Sequence, residues 1–331
     1  MKTFTVHNAT TVADAQAALA KGKAAVYAGG TDLISTLKSM CSPTGYDTLV
    51  NIKKISGLDK ITEDASGLKI GSLVTLTEIA KSEVIKSKYT ALAEAARVVG
   101  TPQLRNTGTI GGNICQENRC WYFRADDNLF PCLRKPGGTN TCFALTGDNR
   151  YHSIFAAVSS CFAVSPSDIA PVLVAFNASI VTNKKTWAIG DFFAVKGEKQ
   201  VAIDADEIVT EIQIPAPAAG TKSAYRKFAL RKAFDFPIAS AAAVVTTSGG
   251  NVTAARIALG AVHNLPRLVA AAGTGLVGKA IDNTSAEAAG TEAVRNAMEM
   301  PLNPSTTAIG NKYIIQLAKT MAKRAVLACK P

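Results

Sequence analysis

Segments with strand and helix patterns alternate along the N-terminal part of this chain. Residues 4–6 predict a short strand, and the apolar spacing of residues 12–19 predicts a helix. The apolar run at residues 24–27 predicts a second strand, which leads through two glycines into a predicted helix at residues 33–40. A third strand is expected at residues 48–52. Alternation of this kind favours an α/β unit.

The middle of the chain mixes both types of element. Residues 68–71 predict a strand, and residues 77–85 and 89–99 predict helices. Residues 115–165 are rich in Gly, Pro, Asn and Arg, which is typical of a loop. Residues 178–181 predict a further strand.

A run of Pro, Ala and Gly at residues 214–220 predicts a domain boundary. Beyond it, residues 239–247 and 252–259 predict two antiparallel strands around a Ser-Gly-Gly-Asn turn. Residues 313–327 carry apolar side chains on one face and Lys and Arg on the other, which predicts an amphipathic helix.

The composition fits a globular protein, because 47% of the residues are hydrophobic and only 18% are charged. The N-terminus lacks the apolar segment of a signal peptide, and no apolar run reaches the ~18 residues of a membrane span. We therefore expect no membrane insertion and a cytoplasmic location, or a periplasmic one if a partner carries the export signal. The net charge of +11 is scattered and aromatic residues make up 6%, so we expect no nucleic-acid binding.

Two glycine-rich turns are candidates for binding a phosphate-containing ligand. The first, between a predicted strand and a predicted helix, is Ala28-Gly29-Gly30-Thr31-Asp32-Leu33. The second is Gly108-Thr109-Ile110-Gly111-Gly112-Asn113. Glycines let backbone N–H groups approach a ligand closely, and two such turns suit a long ligand with two phosphates. The first turn matches neither the Rossmann nor the P-loop spacing, and the alternative is a simple connection with Thr31 or Asp32 as helix N-cap.

Five of the seven cysteines fall on the predicted loop that follows the second turn. They are Cys115, Cys120, Cys132, Cys142 and Cys161. The intervals after Cys120 are 12, 10 and 19 residues, without the close Cys-x-x-Cys pairs that zinc sites favour. This spacing is compatible with an iron–sulfur cluster held by four thiolates, with free structural thiols or zinc as alternatives. Disulfides are not expected without a secretion signal.

Basic residues accompany the cysteines on this loop, where they either offset the negative charge of a cluster or form a solvated face. They are Arg119, Arg124, Arg134, Lys135 and Arg150. No nucleophile and base form a visible pair, and we interpret the isolated His7, His152 and His263 as structural. If the chain belongs to an enzyme, a bound cofactor carries the chemistry.

Three motifs in this order resemble the signatures of one family. They are Ala28-Gly29-Gly30-Thr31-Asp32-Leu33, Thr109-Ile110-Gly111-Gly112-Asn113 and Ser165-Pro166-Ser167-Asp168. The segments Asp206-Glu207-Ile208-Val209 and Tyr225-Arg226-Lys227-Phe228 extend the resemblance over nearly the whole chain. Together they resemble the FAD-binding medium subunit of the molybdenum hydroxylases, or xanthine dehydrogenase family, which includes the flavin parts of carbon monoxide dehydrogenase and aldehyde oxidoreductases.

The resemblance implies a mixed α/β (α+β) fold of two domains. Residues 1–217 would form a PCMH-type FAD-binding domain, as in vanillyl-alcohol oxidase, with subdomains at about 1–58 and 59–217. The second subdomain would carry the cysteine-rich loop at residues 115–165. Residues 218–331 would form a smaller α+β domain of the CO dehydrogenase flavoprotein C-terminal type.

The resemblance also implies which residues hold FAD. The pyrophosphate would be wrapped by the loop that comprises Tyr27, Ala28, Gly29, Gly30, Thr31, Asp32, Leu33 and Ile34. A second flavin loop would comprise Thr109, Gly112 and Asn113. Asp168 would bind ribityl or ribose hydroxyls. Val209 would pack beside the cofactor, and Lys227 would approach the flavin or its phosphates.

Most members of this family lack the cysteine-rich insertion, but one subset carries it and holds a [4Fe-4S] cluster there. The subset includes flavin subunits of periplasmic aldehyde oxidoreductases, which this chain resembles more, and of 4-hydroxybenzoyl-CoA reductase. The ligands implied for this chain are Cys120, Cys132, Cys142 and Cys161. Cys115 matches no ligand, so we interpret it as structural.

The function implied is that of an oxidoreductase subunit with no catalytic residue of its own, which passes electrons through FAD and the [4Fe-4S] cluster. A large subunit with the molybdenum cofactor would oxidise an aldehyde or an aromatic heterocycle. A small subunit with two [2Fe-2S] clusters would complete a heterotrimer, and an external acceptor or donor would exchange electrons with FAD. The alternatives are the flavin subunit of an aromatic acyl-CoA reductase, a scaffold subunit that binds zinc or nothing, and a stand-alone FAD oxidase.

Overall fold

The N-terminal segment folds around a small parallel sheet in the computed structural model, which describes residues 1–300 and 310–331. Its elements are β1 (Thr5–Asn8), α1 (Val12–Ala20), β2 (Ala24–Tyr27), α2 (Leu33–Ser39) and β3 (Thr48–Asn51). The strands run parallel in the order β1-β3-β2. Their buried residues, such as Val50, pack on Ala15 and Leu19 of α1. All five elements lie within two residues of the bounds that the sequence predicts.

The middle of the chain forms a second unit around a five-stranded antiparallel sheet, in the order β4-β5-β10-β6-β7. In chain order, its elements are β4 (Ile61–Asp64), β5 (Gly67–Gly71), α3 (Leu76–Lys81), α4 (Glu83–Lys88), α5 (Thr90–Arg97), α6 (Pro102–Thr107), α7 (Ile110–Ile114), α8 (Trp121–Arg124), α9 (Ile169–Ala175), β6 (Ser179–Thr182), β7 (Thr186–Ala188), α10 (Ile189–Phe192), β8 (Phe193–Lys196), β9 (Lys199–Val201) and β10 (Val209–Pro215). Strands β8 and β9 pair separately as a hairpin.

The single helix predicted at residues 77–85 is wrong, because two helices occupy this stretch. Ser82 separates α3 from α4 with an extended conformation (φ −61°, ψ 122°). The start of α3 carries a capping box, in which Thr75 and Glu78 each satisfy the other's backbone N–H. The break lets α4 turn, so that Ile85 and the following Tyr89 are both fully buried.

The C-terminal unit pairs an antiparallel sheet with helices. Its elements are β11 (Thr221–Phe228), β12 (Ala239–Ser248), β13 (Asn251–Gly260), β14 (Arg267–Leu268), α11 (Ala270–Thr274), α12 (Asn283–Ala293) and α13 (Tyr313–Leu327). The hairpin of β12 and β13 and the amphipathic helix α13 lie where the sequence predicts them. Ile314 and Met321 of α13 are buried in the same core as Val245 of β12.

The C-terminal sheet also docks on the second unit. Ser223 of β11 accepts a hydrogen bond from the Ala91 N–H (3.1 Å), and Arg226 pairs with Glu94 of α5 (3.0 Å). The mixed α/β fold predicted from the sequence is confirmed. Within residues 1–300 and 310–331, no helix is both long and apolar enough to cross a bilayer.

Candidate functional site

A cavity of about 1020 Å³ lies between the three units. Both glycine-rich turns line it, and so does Asp168 at the start of α9. The segment from Glu207 to Val209 adds a wall from the second unit, and the loop from Phe234 to Phe236 adds one from the C-terminal unit. Motifs that are far apart in the sequence therefore line the same cavity.

The first turn is packed directly against the chain that precedes the second turn. A β-carbon at Gly29 would overlap the carbonyl oxygen of Thr107. Gly30 has a positive φ of +69°, and a β-carbon there would lie 2.6 Å from the Tyr27 ring. Only glycine combines this backbone conformation with such close contacts. The two turns are held side by side for this reason.

Gly29→Ala should therefore destabilise the protein and abolish most FAD binding, because the new methyl group forces the two turns apart. Overpacking of this kind typically costs about 1–3 kcal/mol. The matched control is Gly190→Ala, since a β-carbon at Gly190 meets nothing within 4 Å and its φ is not positive. Thermal denaturation and flavin titration of both variants check the prediction. Unchanged FAD affinity in Gly29→Ala would show that the contact between the turns is dispensable.

The second turn is fixed to the segment that carries Asp168. Thr109 caps α7 by accepting the Gly112 N–H (3.1 Å). The Ser167 hydroxyl donates to Asn113 Oδ1 (2.6 Å) and accepts the Ala170 N–H (3.0 Å). Because both Asn113 and Ser167 are buried, these bonds set the position of Asp168 relative to the second turn.

Asp168 is a buried carboxylate, 2% exposed, that is held by the C-terminal unit. The Tyr225 hydroxyl donates to its Oδ1, and the Lys227 ammonium lies 3.0 Å from its Oδ2. Lys227 also donates to the Val98 carbonyl (3.0 Å). Burial raises the pKa of Asp168, whereas the Lys227 charge and the two hydrogen bonds act to lower it. Two residues predicted as FAD contacts thus form one buried ion pair.

Most of the predicted FAD residues line the cavity. They are Ala28, Gly29, Gly30, Thr31, Asp32, Leu33, Thr109, Gly112, Asn113, Asp168 and Val209. Tyr27 and Ile34 are not in the wall, and their side chains lie against Gly30. Lys227 is not in the wall either, and it reaches the cavity only through Asp168.

Several parts of the cavity wall belong to no sequence motif and were not predicted as site residues. Val99, Gly100 and Leu104 come from the region around α6, and residues 196–199 come from the hairpin of β8 and β9. The loop at residues 234–236 also contributes, and its Phe234 and Phe236 are 43% and 44% exposed. Two aromatic residues so close together in a polar stretch were the one available signal for this loop.

The four cysteines implied as ligands lie on a shared, mostly buried region of the loop. Cys132, Cys142 and Cys161 are between 3% and 6% exposed, and Cys120 is half-buried. Burial raises the pKa of the Cys120 thiol to about 12 and also raises the pKa of Cys132 and Cys142. Repulsion from Cys161 acts in the same direction on the pKa of each of these three thiols, so the four cysteines lie within electrostatic reach of one another.

One ring nitrogen contacts the sulfur atom of Cys120, and two N–H donors contact the sulfur atom of Cys161. Cys120 Sγ lies 3.2 Å from Nε2 of His152, which is buried among Trp121 and Tyr122. Cys161 Sγ accepts from the Arg134 guanidinium (3.7 Å) and from the Ala163 N–H (3.4 Å). In the part of the chain that the structure describes, no three His, Cys, Asp or Glu side chains meet at a site for one metal ion.

Comparison with known proteins agrees with this arrangement. Residues 2–217 match the model of the FAD binding domain in molybdopterin dehydrogenase. Residues 223–329 match the CO dehydrogenase flavoprotein C-terminal domain. Both matches span the segments that line the cavity.

Individual relatives support the same assignment. The chain is 32% identical over 283 residues to the aldehyde oxidoreductase FAD-binding subunit PaoB of Escherichia coli K12, covering 82% of this chain and 85% of that one. It is 29% identical to the carbon monoxide dehydrogenase medium chain of Afipia carboxidovorans, covering 99% and 96%. The structure of carbon monoxide dehydrogenase from Hydrogenophaga pseudoflava superimposes with a TM-score of 0.74 at 25% identity, covering 100% and 99%. The chain therefore belongs to the FAD-binding subunits of the molybdenum hydroxylase family of oxidoreductases.

Proposed function

We propose that this chain is the electron-transfer subunit of a multi-subunit molybdenum hydroxylase that oxidises an aldehyde or an aromatic heterocycle. It would bind FAD in the cavity and a [4Fe-4S] cluster on Cys120, Cys132, Cys142 and Cys161. The observation that carries the proposal is the single cavity bounded by both glycine-rich turns, Asp168 and the start of the cysteine loop. The division into domains at residues 1–217 and 218–331 belongs to this proposal and is supported by the two matched ranges.

The cavity suits FAD in shape and chemistry. Its volume of about 1020 Å³ is at the upper end of the ~300–1,000 Å³ of ligand pockets, as a long dinucleotide requires. The backbone of Gly29 and Gly30, which lines the cavity, would meet the pyrophosphate, and the Asp168 carboxylate would accept hydrogen bonds from sugar or ribityl hydroxyls. When bound, FAD supplies the redox chemistry. The residues of this chain that line the cavity would bind and orient FAD.

Two buried cations beside the thiols support the proposal of a cluster on the cysteine loop. Arg134 and Lys135 are 3% and 4% exposed, and they lie beside thiols whose burial favours the neutral form. Buried cations are costly unless a negative charge compensates them. A [4Fe-4S] cluster with four thiolates carries such a charge, and hydrogen bonds to its sulfurs are usual. Each iron takes its own cysteine, so the four residues need not meet at one ion.

The wall of the cavity adjoins this loop. Residues that line the cavity follow Cys115 and Cys132 directly, namely Gln116, Glu117, Leu133, Arg134, Lys135 and Pro136. A cluster on the loop would thus lie next to the flavin and could relay single electrons. The partners of this function are a large subunit with the molybdenum cofactor, a small subunit with two [2Fe-2S] clusters and an external electron carrier.

The test is the content of iron, acid-labile sulfide and flavin in anaerobically purified protein. We expect about one FAD and about four irons per chain, with broad absorption near ~400 nm. FAD without iron would remove the cluster from the proposal and leave a flavin subunit with free thiols. Zinc without flavin would favour a structural scaffold, and turnover of a simple aldehyde by the isolated chain would favour a stand-alone oxidase.

A further inference from the structure

Asp32 of the first turn holds the cysteine loop. It occupies the N-cap position of α2, but its carboxylate does not cap the helix. Its Oδ1 lies 2.9 Å from one nitrogen of Arg119 and 2.9 Å from one of Arg124. Its Oδ2 accepts the backbone N–H of Glu117 (3.1 Å). One carboxylate of the flavin turn therefore fixes three residues around Cys120.

Arg124 binds both the cysteine loop and helix α2. Its side chain, 14% exposed, donates to the carbonyls of Glu117 (3.2 Å) and Asn118 (2.9 Å), which precede Cys120. It also donates to Thr36 Oγ1 in α2 (2.6 Å). Arg124 thus binds the cysteine loop and the helix that follows the first turn, although it is not part of the cavity wall.

We propose that Arg124 is a positioning residue for FAD, which acts on the first turn through Asp32. The inference rests on the proposed binding of FAD in the cavity. A ligand on the turn limits the motion of residues 28–32. Because the Asp32 carboxylate is bound to Arg124 and to the Glu117 N–H, residues 116–124 become less mobile as well. Thermodynamic coupling is reciprocal. If FAD shifts the equilibrium of the loop towards its ordered state by some factor, the ordered loop must bind FAD more tightly by the same factor.

The experiment compares two arginine variants of the deflavinated full chain, titrated with FAD. Arg124→Gln should raise the dissociation constant of FAD about fivefold or more, the usual size of a coupling. Arg124→Lys keeps the charge and should restore most of the affinity. The control is Arg150→Gln, which removes another Asp–Arg pair of the same loop: Arg150 pairs with Asp148, and neither residue lines the cavity. Its affinity should stay within about twofold of the wild type.

Hydrogen–deuterium exchange separates positioning from a general loss of stability. In the wild type, FAD should protect residues 28–33 and also residues 116–124. In Arg124→Gln, protection should persist at residues 28–33 and weaken at residues 116–124, where Asp32 keeps only its contacts with Glu117 and Arg119. Wild-type affinity in Arg124→Gln, or a loop whose exchange in the wild type ignores FAD, would overturn the inference. Failure of the wild-type chain to bind FAD at all would instead refute the proposed function, and the inference with it.

Discussion

Cys132→Ser is expected to lose most of the iron of the protein while keeping most of its FAD. A [4Fe-4S] cluster needs all four thiolates, and a serine hydroxyl is a poor substitute for one of them. Cys132 is 5% exposed and does not itself line the cavity, so the flavin turns should keep their contacts. Iron and flavin content, together with the visible spectrum, measure the effect.

The matched control for this variant is Cys115→Ala on the same loop. Cys115 matches no ligand of the proposed cluster, and burial raises the pKa of its thiol to about 12. We expect its iron content to equal that of the wild type. Full iron in Cys132→Ser would show that Cys132 is not a ligand. Joint loss of iron and FAD would mean that the adjoining residues Leu133 to Pro136 need the cluster to form their part of the cavity wall.

The sequence alone predicted the local elements well, because periodicity and turn chemistry act over short distances. The first sheet, the hairpin of β12 and β13 and the helix α13 all follow from such patterns. The glycines at positions 29 and 30 were recognisable because a turn of this type leaves no room for a side chain. The presence of two such turns indicated one shared ligand, but their direct packing against each other was not predictable, since Gly108 lies 79 positions after Gly29.

The remainder of the site depends on contacts between distant segments, which local patterns do not encode. Asp32 illustrates this: its motif predicted a contact with FAD and the residue lines the cavity, but no pattern in the sequence indicated that its carboxylate pairs with Arg119 and Arg124. Lys227 likewise pairs with Asp168 instead of lining the cavity. Charged side chains gave no signal of their partner in the sequence, because any of 36 basic residues satisfies a carboxylate equally well on composition alone.

Asp168→Ala is expected to weaken FAD binding at least tenfold and to destabilise the protein. A hydrogen bond to a charged group contributes about 1.5–3 kcal/mol, and each 1.4 kcal/mol corresponds to about tenfold in affinity. Removal of the carboxylate also leaves the Lys227 ammonium, 10% exposed, without its ion-pair partner. Breaking a buried pair in this way typically costs about 3–5 kcal/mol in the free energy of unfolding.

The double variant Asp168→Ala/Lys227→Met separates these two effects. Replacement of both partners removes the unpaired buried charge, so the free energy of unfolding should recover in large part. The affinity for FAD should not recover, because the acceptor for its hydroxyl groups is still missing. Denaturant unfolding and flavin titration of the single and double variants give the two quantities independently. If affinity returned together with stability, Asp168 would act only by holding the C-terminal unit in place, and its role as a contact of FAD would be lost.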